Sequence, residues 1–245
     1  MTPRPARPAA LLLLLALALA ACQPSASASP SPSAAPSEEP SEPGPSESAA
    51  ALCDPGVICN GPLIAGDYVS ETTGARVEFT LDEHDWFGQE DTPGDGFSLF
   101  LADVEEGAIS VVSFSGEVFT NSCDASSDPL QLEATPAAFM NMLTTRTGIT
   151  ATTPEEVEVG GRPALQTDLT VDLAECSPDS PTAYLWTLPV HGDFHFNDQE
   201  QARVMAVNAE SATVIIVAEA LPGVDWDHFL EHFTELVETM TITPL

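Results

Sequence analysis

The sequence predicts an α+β domain over residues 66–245, an antiparallel sheet flanked by helices. Three observations support this. Several short segments alternate apolar and polar positions, as half-buried strands do. Turn-forming residues separate these segments at hairpin spacing. One late segment instead repeats its apolar residues every three to four positions, the period of an amphipathic helix.

The elements follow in order. Ala75–Leu81 places Val77, Phe79 and Leu81 on one face, and Phe97–Ala102 and Ile109–Phe114 are apolar and rich in β-formers. A helix is expected over Pro136–Thr147, because Pro136 suits a first helical position. Glu156–Val159 runs into Gly160-Gly161, a turn signal, and Pro163–Leu173 then alternates through Leu165, Leu169, Val171 and Leu173. Ala183–Leu188 is a further strand, and Arg203–Asn208 and Thr213–Ala218 form a hairpin across Ala209–Ala212. The clearest helix starts at Trp226 with Asp225 as N-cap. Its stripe is Phe229, Leu230, Phe233, Leu236, Val237 and Met240, and Thr241–Thr243 follows as a short strand.

The N-terminus addresses the chain. Arg4 and Arg7 form a positive region ahead of Leu11–Ala21, an unbroken Leu/Ala run. The run is shorter than the roughly 20 residues that span a bilayer, and it fits a signal peptide, residues 1–21. Leu19-Ala20-Ala21-Cys22 resembles the bacterial lipobox, in which the cysteine thiol takes a diacylglycerol. Cys22 is therefore the expected lipid attachment site, holding the protein at the outer face of a membrane. Residues 22–50 are mostly Ser, Pro, Ala and Glu, with no aromatic or β-branched side chain. Such a stretch buries no core and reads as a disordered spacer. Four cysteines remain, Cys53, Cys59, Cys123 and Cys176. An even number in an exported domain reads as two disulfides. Of the three pairings, Cys53–Cys59 and Cys123–Cys176 is favoured, the first closing a small entry segment within residues 51–65. Metal binding by these thiols is the rival reading, weakened by the lack of CxxC spacing.

The order of strand, Val159-Gly160-Gly161-Arg162-Pro163-Ala164, strand, Ala212–Ala218, helix Trp226–Met240 and final strand resembles the Mog1/PsbP-like fold. It is similar in particular to actinobacterial lipoproteins of that superfamily. Gly66–Ser70 with the later Trp86 looks like the opening of those domains. The resemblance covers residues 66–245 and implies an α/β/α sandwich. It also implies a binding or assembly role without catalysis, and it transfers no catalytic residue or cofactor.

Three clusters are candidates for chemistry. His228-Phe229-Leu230-Glu231-His232 matches the H-x-x-E-H zinc-protease pattern. Imidazoles at i and i+4 on a helix can share one ion, but both histidines lie off the apolar stripe and are expected to face solvent or its border. His191, Asp193 and His195 alternate, so an extended backbone would align all three. Asp82-Glu83-His84-Asp85, Glu90-Asp91 and Asp95 form the densest acidic zone. It offers oxygen ligands for Ca²⁺ and reads equally as a solvated acidic loop. These clusters support an alternative function, capture of a divalent metal or small ligand. No G-x-S-x-G, G-x-G-x-x-G or phosphate-loop motif occurs, and no enzyme activity is expected.

Charge narrows the partners. Asp and Glu number 38 against 6 arginines and no lysine, for a net charge of -32. Nucleic-acid binding is excluded, since phosphates need cations to replace their counterions. The expected partners are the membrane through the Cys22 lipid, and an envelope protein or a divalent cation. A lysine-free chain points first to a proteome-wide acidic bias such as a saline habitat imposes. A cationic partner or bridging divalent ions in the cell wall are the other readings.

Overall fold

The computed structural model describes residues 53–104, 106–176 and 182–245. The signal peptide, Cys22, the spacer and residues 51–52 lie outside them. The first half of the domain supplies β1 (Gly61–Leu63), β2 (Gly66–Ser70), β3 (Ala75–Leu81), β4 (Trp86–Thr92), β5 (Gly96–Leu101) and β6 (Gly107–Ser113). Next come β7 (Glu117–Phe119), β8 (Pro129–Gln131), α1 (Pro136–Thr144), β9 (Ile149–Ala151), β10 (Glu155–Val159) and β11 (Arg162–Val171). The last part holds β12 (Thr182–Trp186), β13 (Phe194–Asn197), β14 (Gln201–Asn208), β15 (Thr213–Ala220), α2 (Trp226–Thr239) and β16 (Thr241–Pro244).

Among the described residues these strands form three antiparallel sheets. The largest has nine strands, in the order β1-β4-β5-β6-β15-β14-β11-β10 with β9 also on β11. The smaller ones run β13-β12-β7-β8 and β16-β3-β2. The large sheet is covered on both faces, which explains the apolar run of β15. Val214, Ile216 and Ala218 enter a core shared with α2 and the three-stranded sheet. Ile215 and Val217 enter a second core shared with α1 and the four-stranded sheet.

The α/β/α sandwich expectation is overturned. Each outer layer combines one helix with a small sheet, and α1 spans only 9 residues. The outer strands β7 and β8 hold three residues each and carry no readable alternation. Strand β4 runs through the acidic segment at Glu90-Asp91, expected as a loop. Its neighbours decide it, since β4 lies between β1 and β5 with Trp86 paired to Leu63 and Leu101.

Local chemistry fixes the joints. Gly160 and Gly161 have φ of 59° and 75°, the left-handed conformation of a tight hairpin between β10 and β11. The Gly160 carbonyl accepts the Ile242 N–H at 3.0 Å, and Arg162 Nε donates to the Ile242 carbonyl at 3.1 Å. This turn thus fastens β16 to the large sheet. Disulfides join Cys53 to Cys59 and Cys123 to Cys176. The second closes a separation of 53 positions, and crosslinks of that span stabilise by about 4 kcal/mol in the chain-entropy model. Both fit an oxidising, extracytoplasmic compartment. No helix among the described residues is long and apolar enough to cross a membrane.

Glu219 is the polar break in β15. Burial pushes its carboxyl well above the usual carboxylate range, and the Glu200 charge adds to the rise. Glu200 is itself raised by burial, partly offset by the Asn197 N–H groups that donate to it. A raised acid keeps its proton when folded and loses it when unfolded. Stability therefore falls as pH rises from the unfolded value of 4.5 toward the folded one, and the cost persists above. Glu219→Gln should raise Tm at pH 7 by roughly 3 °C or more, about 1 kcal/mol for a domain of this size. At pH 4 it should change little. An equal shift at both pH values in calorimetry would mean that ionisation of Glu219 is not the cause.

Candidate metal centre

Helix α2 builds the site. Asp225 caps it, its carboxylate accepting the His228 N–H at 3.3 Å, and Asp227 in the first turn suits the positive helix end. Phe229, Phe233 and Leu236 are buried and hold the helix on the core. Their burial is worth about 1.5–3 kcal/mol per side chain. His232 lies on this buried side, at 8% exposure. Of the two histidines expected at the solvent face or its border, His228 is exposed and His232 sits on the inner side of that border. Counting from Phe229, the positions i+3, i+4 and i+7 are His232, Phe233 and Leu236, so the helical period itself turns His232 inward.

Two further imidazoles meet it. His228 is one turn earlier on α2, with ring centroids 4.7 Å apart at 77°. His84 comes from the β3–β4 loop, at 4.5 Å and 79°. Asp82 shapes that loop. Its carboxylate accepts the Trp86 indole N–H at 3.1 Å and the His84 N–H at 3.2 Å, and its other oxygen is 3.2 Å from His84 Nε2. Burial alone would raise the Asp82 carboxyl. The Trp86 and His84 hydrogen bonds, aided by the charges of His84 and His232, hold it below the usual range instead.

Carboxylates complete the cluster. Glu235 Oε2 is 3.9 Å from His232 Nδ1, and Asp103 Oδ2, in the β5–β6 turn, is 3.8 Å from His228 Nε2. Two triads result, His84–His232–Glu235 and Asp103–His228–His232, each with ligand atoms within 4.8 Å of one another. Both ring nitrogens of His232 are buried and have no hydrogen-bond partner. An unmet buried polar atom costs about 1–3 kcal/mol, and no group among the described residues offsets that cost for this ring. Mixed imidazole and carboxylate donors suit Zn²⁺ and neighbouring divalent transition metals. Glu231, the acid of the H-x-x-E-H pattern, is exposed and belongs to neither triad.

The other sequence candidates do not converge. His191 Nδ1 lies 2.6 Å from Asp95, and the buried Asp95 carboxylate also accepts the Val190 and His191 backbone N–H groups. That is a loop clasp with its donors already in place. His195 pairs separately with Asp193 at 2.8 Å. Only His195 of the three sits in a strand, so the expected alternation fails. Asp91 accepts the hydroxyls of Ser70 and Thr72, which ties that part of the acidic zone to the β2–β3 turn, while His84 of its first stretch joins the cluster. The arginines among the described residues are also engaged. Arg76 pairs with Glu71 and Glu78, Arg162 with Glu210 and Arg203 with Asp168, while Arg146 donates to the Thr120 carbonyl.

Asp103 and Glu235 were not among the sequence candidates. Glu235 was within reach of inspection, since a carboxylate at i+3 from His232 shares its face. Asp103 had no local signal, being brought in by the β5–β6 turn.

No protein-family model matches the chain, and no curated protein does. Among solved structures, the cyanobacterial PsbP (CyanoP) of Synechocystis sp. PCC 6803 is similar at 13% identity, with a TM-score of 0.38. The match covers 78% of this chain and 97% of that one. The immunity protein TplEi of the type VI secretion system of Pseudomonas aeruginosa is similar at 14% identity, with a TM-score of 0.33. That match covers 70% of this chain and 46% of that one. Nothing about the metal centre follows from likenesses this remote.

The site predicts a stability trade-off. With no metal added and chelator present, His232→Phe should leave Tm unchanged or raise it, by about 1 kcal/mol equivalent, because the unmet nitrogens are gone. A loss of several kcal/mol in the melt would show that His232 is an ordinary packing residue.

Proposed function

We propose that this chain is a lipid-anchored binding module of the actinobacterial lipoprotein type, and that its ligand is a divalent transition-metal ion held at His84, His228 and His232. The observation that supports it most is the buried His232 ring with both nitrogens unmet, flanked by two more imidazoles. Anchoring is supported by the lipobox at Cys22, and export by the disulfides. The role is capture rather than catalysis. The acid of the protease pattern stands outside the cluster, and the acids around it draw in cations rather than polarise a substrate. Asp82, Asp103, Asp225, Asp227 and Glu235 give the surroundings a negative field that raises the local cation concentration.

Two outcomes are expected. For the full-length protein in detergent, Zn²⁺ at a hundredfold excess over Kd should stabilise by about 2.7 kcal/mol, several degrees in Tm. NaCl at matched ionic strength should not reproduce the saturable part, and His232→Phe should abolish it. A gradual rise with every salt would reduce the cluster to screened surface charge. Separately, Cys22→Ala should move the protein from the membrane pellet to the soluble fraction of its host. Unchanged fractionation would remove the anchor from the proposal.

A further inference from the structure

The two triads share a single residue, and their placement says more than the presence of a metal. His228 precedes His232 by four positions and Glu235 follows it by three. At 1.5 Å per residue these groups lie about 6 Å before and 4.5 Å after it along the helix axis. Each is joined by a ligand from a different loop, Asp103 on the N-terminal side and His84 on the C-terminal side. Glu235 approaches Nδ1 of His232, at 3.9 Å. Nε2, on the other side of the ring, is likewise without a hydrogen-bond partner.

The surface agrees with two separate positions. One open groove of about 600 Å³ reaches His228 and Asp103 past Glu106 and Asp225. A different groove of about 530 Å³ reaches His84 between Glu83, Asp85 and Trp86. Each groove thus brings an acid-lined surface to a different part of the cluster, one to Asp103 and His228, the other to His84.

We infer that the centre holds two divalent ions, one in each triad, bridged by the imidazole ring of His232. This rests on the metal-binding reading above and adds its stoichiometry and architecture. One ion is held by Asp103, His228 and His232, the other by His84, His232 and Glu235, each keeping an open position for water. The first ion takes the nitrogen lone pair of a neutral ring. The second forms its bond to the remaining nitrogen as that nitrogen's proton leaves for solvent, so no oxidant or reductant is involved. Ions joined through one ring are coupled, and metal–nitrogen bonds of about 2.0 Å on either side set them on opposite edges of it.

The test counts ions. Full-length protein in detergent is loaded with Zn²⁺ alone, passed through a desalting column and assayed for metal by mass spectrometry. Two ions per chain are expected. The double variant Asp103→Ala/His228→Ala should retain one, His84→Ala/Glu235→Ala should also retain one, and His232→Phe should retain none after the column. Unchanged circular dichroism and melts without metal confirm that each variant folds. A second reading uses Cu²⁺, for which the bridged pair should give much less paramagnetic signal than twice that of either one-ion variant. One Zn²⁺ per wild-type chain, lost in both double variants, would overturn the two-ion arrangement and leave single-metal capture standing. No Zn²⁺ on the wild-type chain would overturn the metal reading itself.

Discussion

Burial of both faces of the central strands is the constraint from which the other layers follow. β15, β14, β6 and β11 form the middle of the large sheet. In β15, successive residues from Val214 to Ala218 alternate between two cores, and all are inaccessible. A sheet of that kind is stable only if something apolar covers each side. One side is closed by α2 with β2, β3 and β16, the other by α1 with β7, β12 and β13. Position on α2 is thereby set by the core rather than by the metal centre. Phe229 and Phe233 seat the helix, and the imidazole between them is carried to the border of the core as a consequence.

Much of the sheet was legible in the sequence, because residues paired there belong to long segments with unmistakable patterns. Ala75–Leu81 was expected and found with the same bounds, and α2 with its Asp225 cap follows from its apolar stripe. The missed strands share a cause. β1, β7, β8 and β9 hold three residues each, too few for a period to register. β4 carries Glu90 and Asp91, whose charge outweighs any strand signal until β1 and β5 are seen beside it. Of these, β7 and β8 extend the four-stranded outer sheet, so that layer is part sheet and part helix, and a sandwich with helical faces was the wrong expectation.

The candidate site was half legible, for a different reason. The spacing of His228 and His232 is local and was read directly, but their orientation was judged from a stripe that also counted Leu230 and Val237. The stripe as packed is centred on Phe229, Phe233 and Leu236, which places His232 inside. The third imidazole, His84, lies in the β3–β4 loop, and Asp103, the carboxylate beside His228, lies in the β5–β6 turn. Only the fold brings these to α2, so no window of sequence contains the cluster. The His191–Asp193–His195 pattern errs the other way, as a regular spacing in a segment that becomes strand only from Phe194.

The first crosslink has a mechanical consequence. Cys53 opens the described chain, is bonded to Cys59, and donates its N–H to the Pro62 carbonyl at 3.1 Å. A pull on the chain ahead of Cys53 would pass from Cys53 to Cys59 through sulfur and reach β1 without loading the six peptide links between them. Those links, whose ends stand 6.0 Å apart, would otherwise pay out about 14 Å of slack at roughly 3.4 Å per residue. The domain therefore meets a pull at a short covalent ring, and its first sheet hydrogen bonds, from β1 to β4, take the load at a defined point instead of after a run of loose chain.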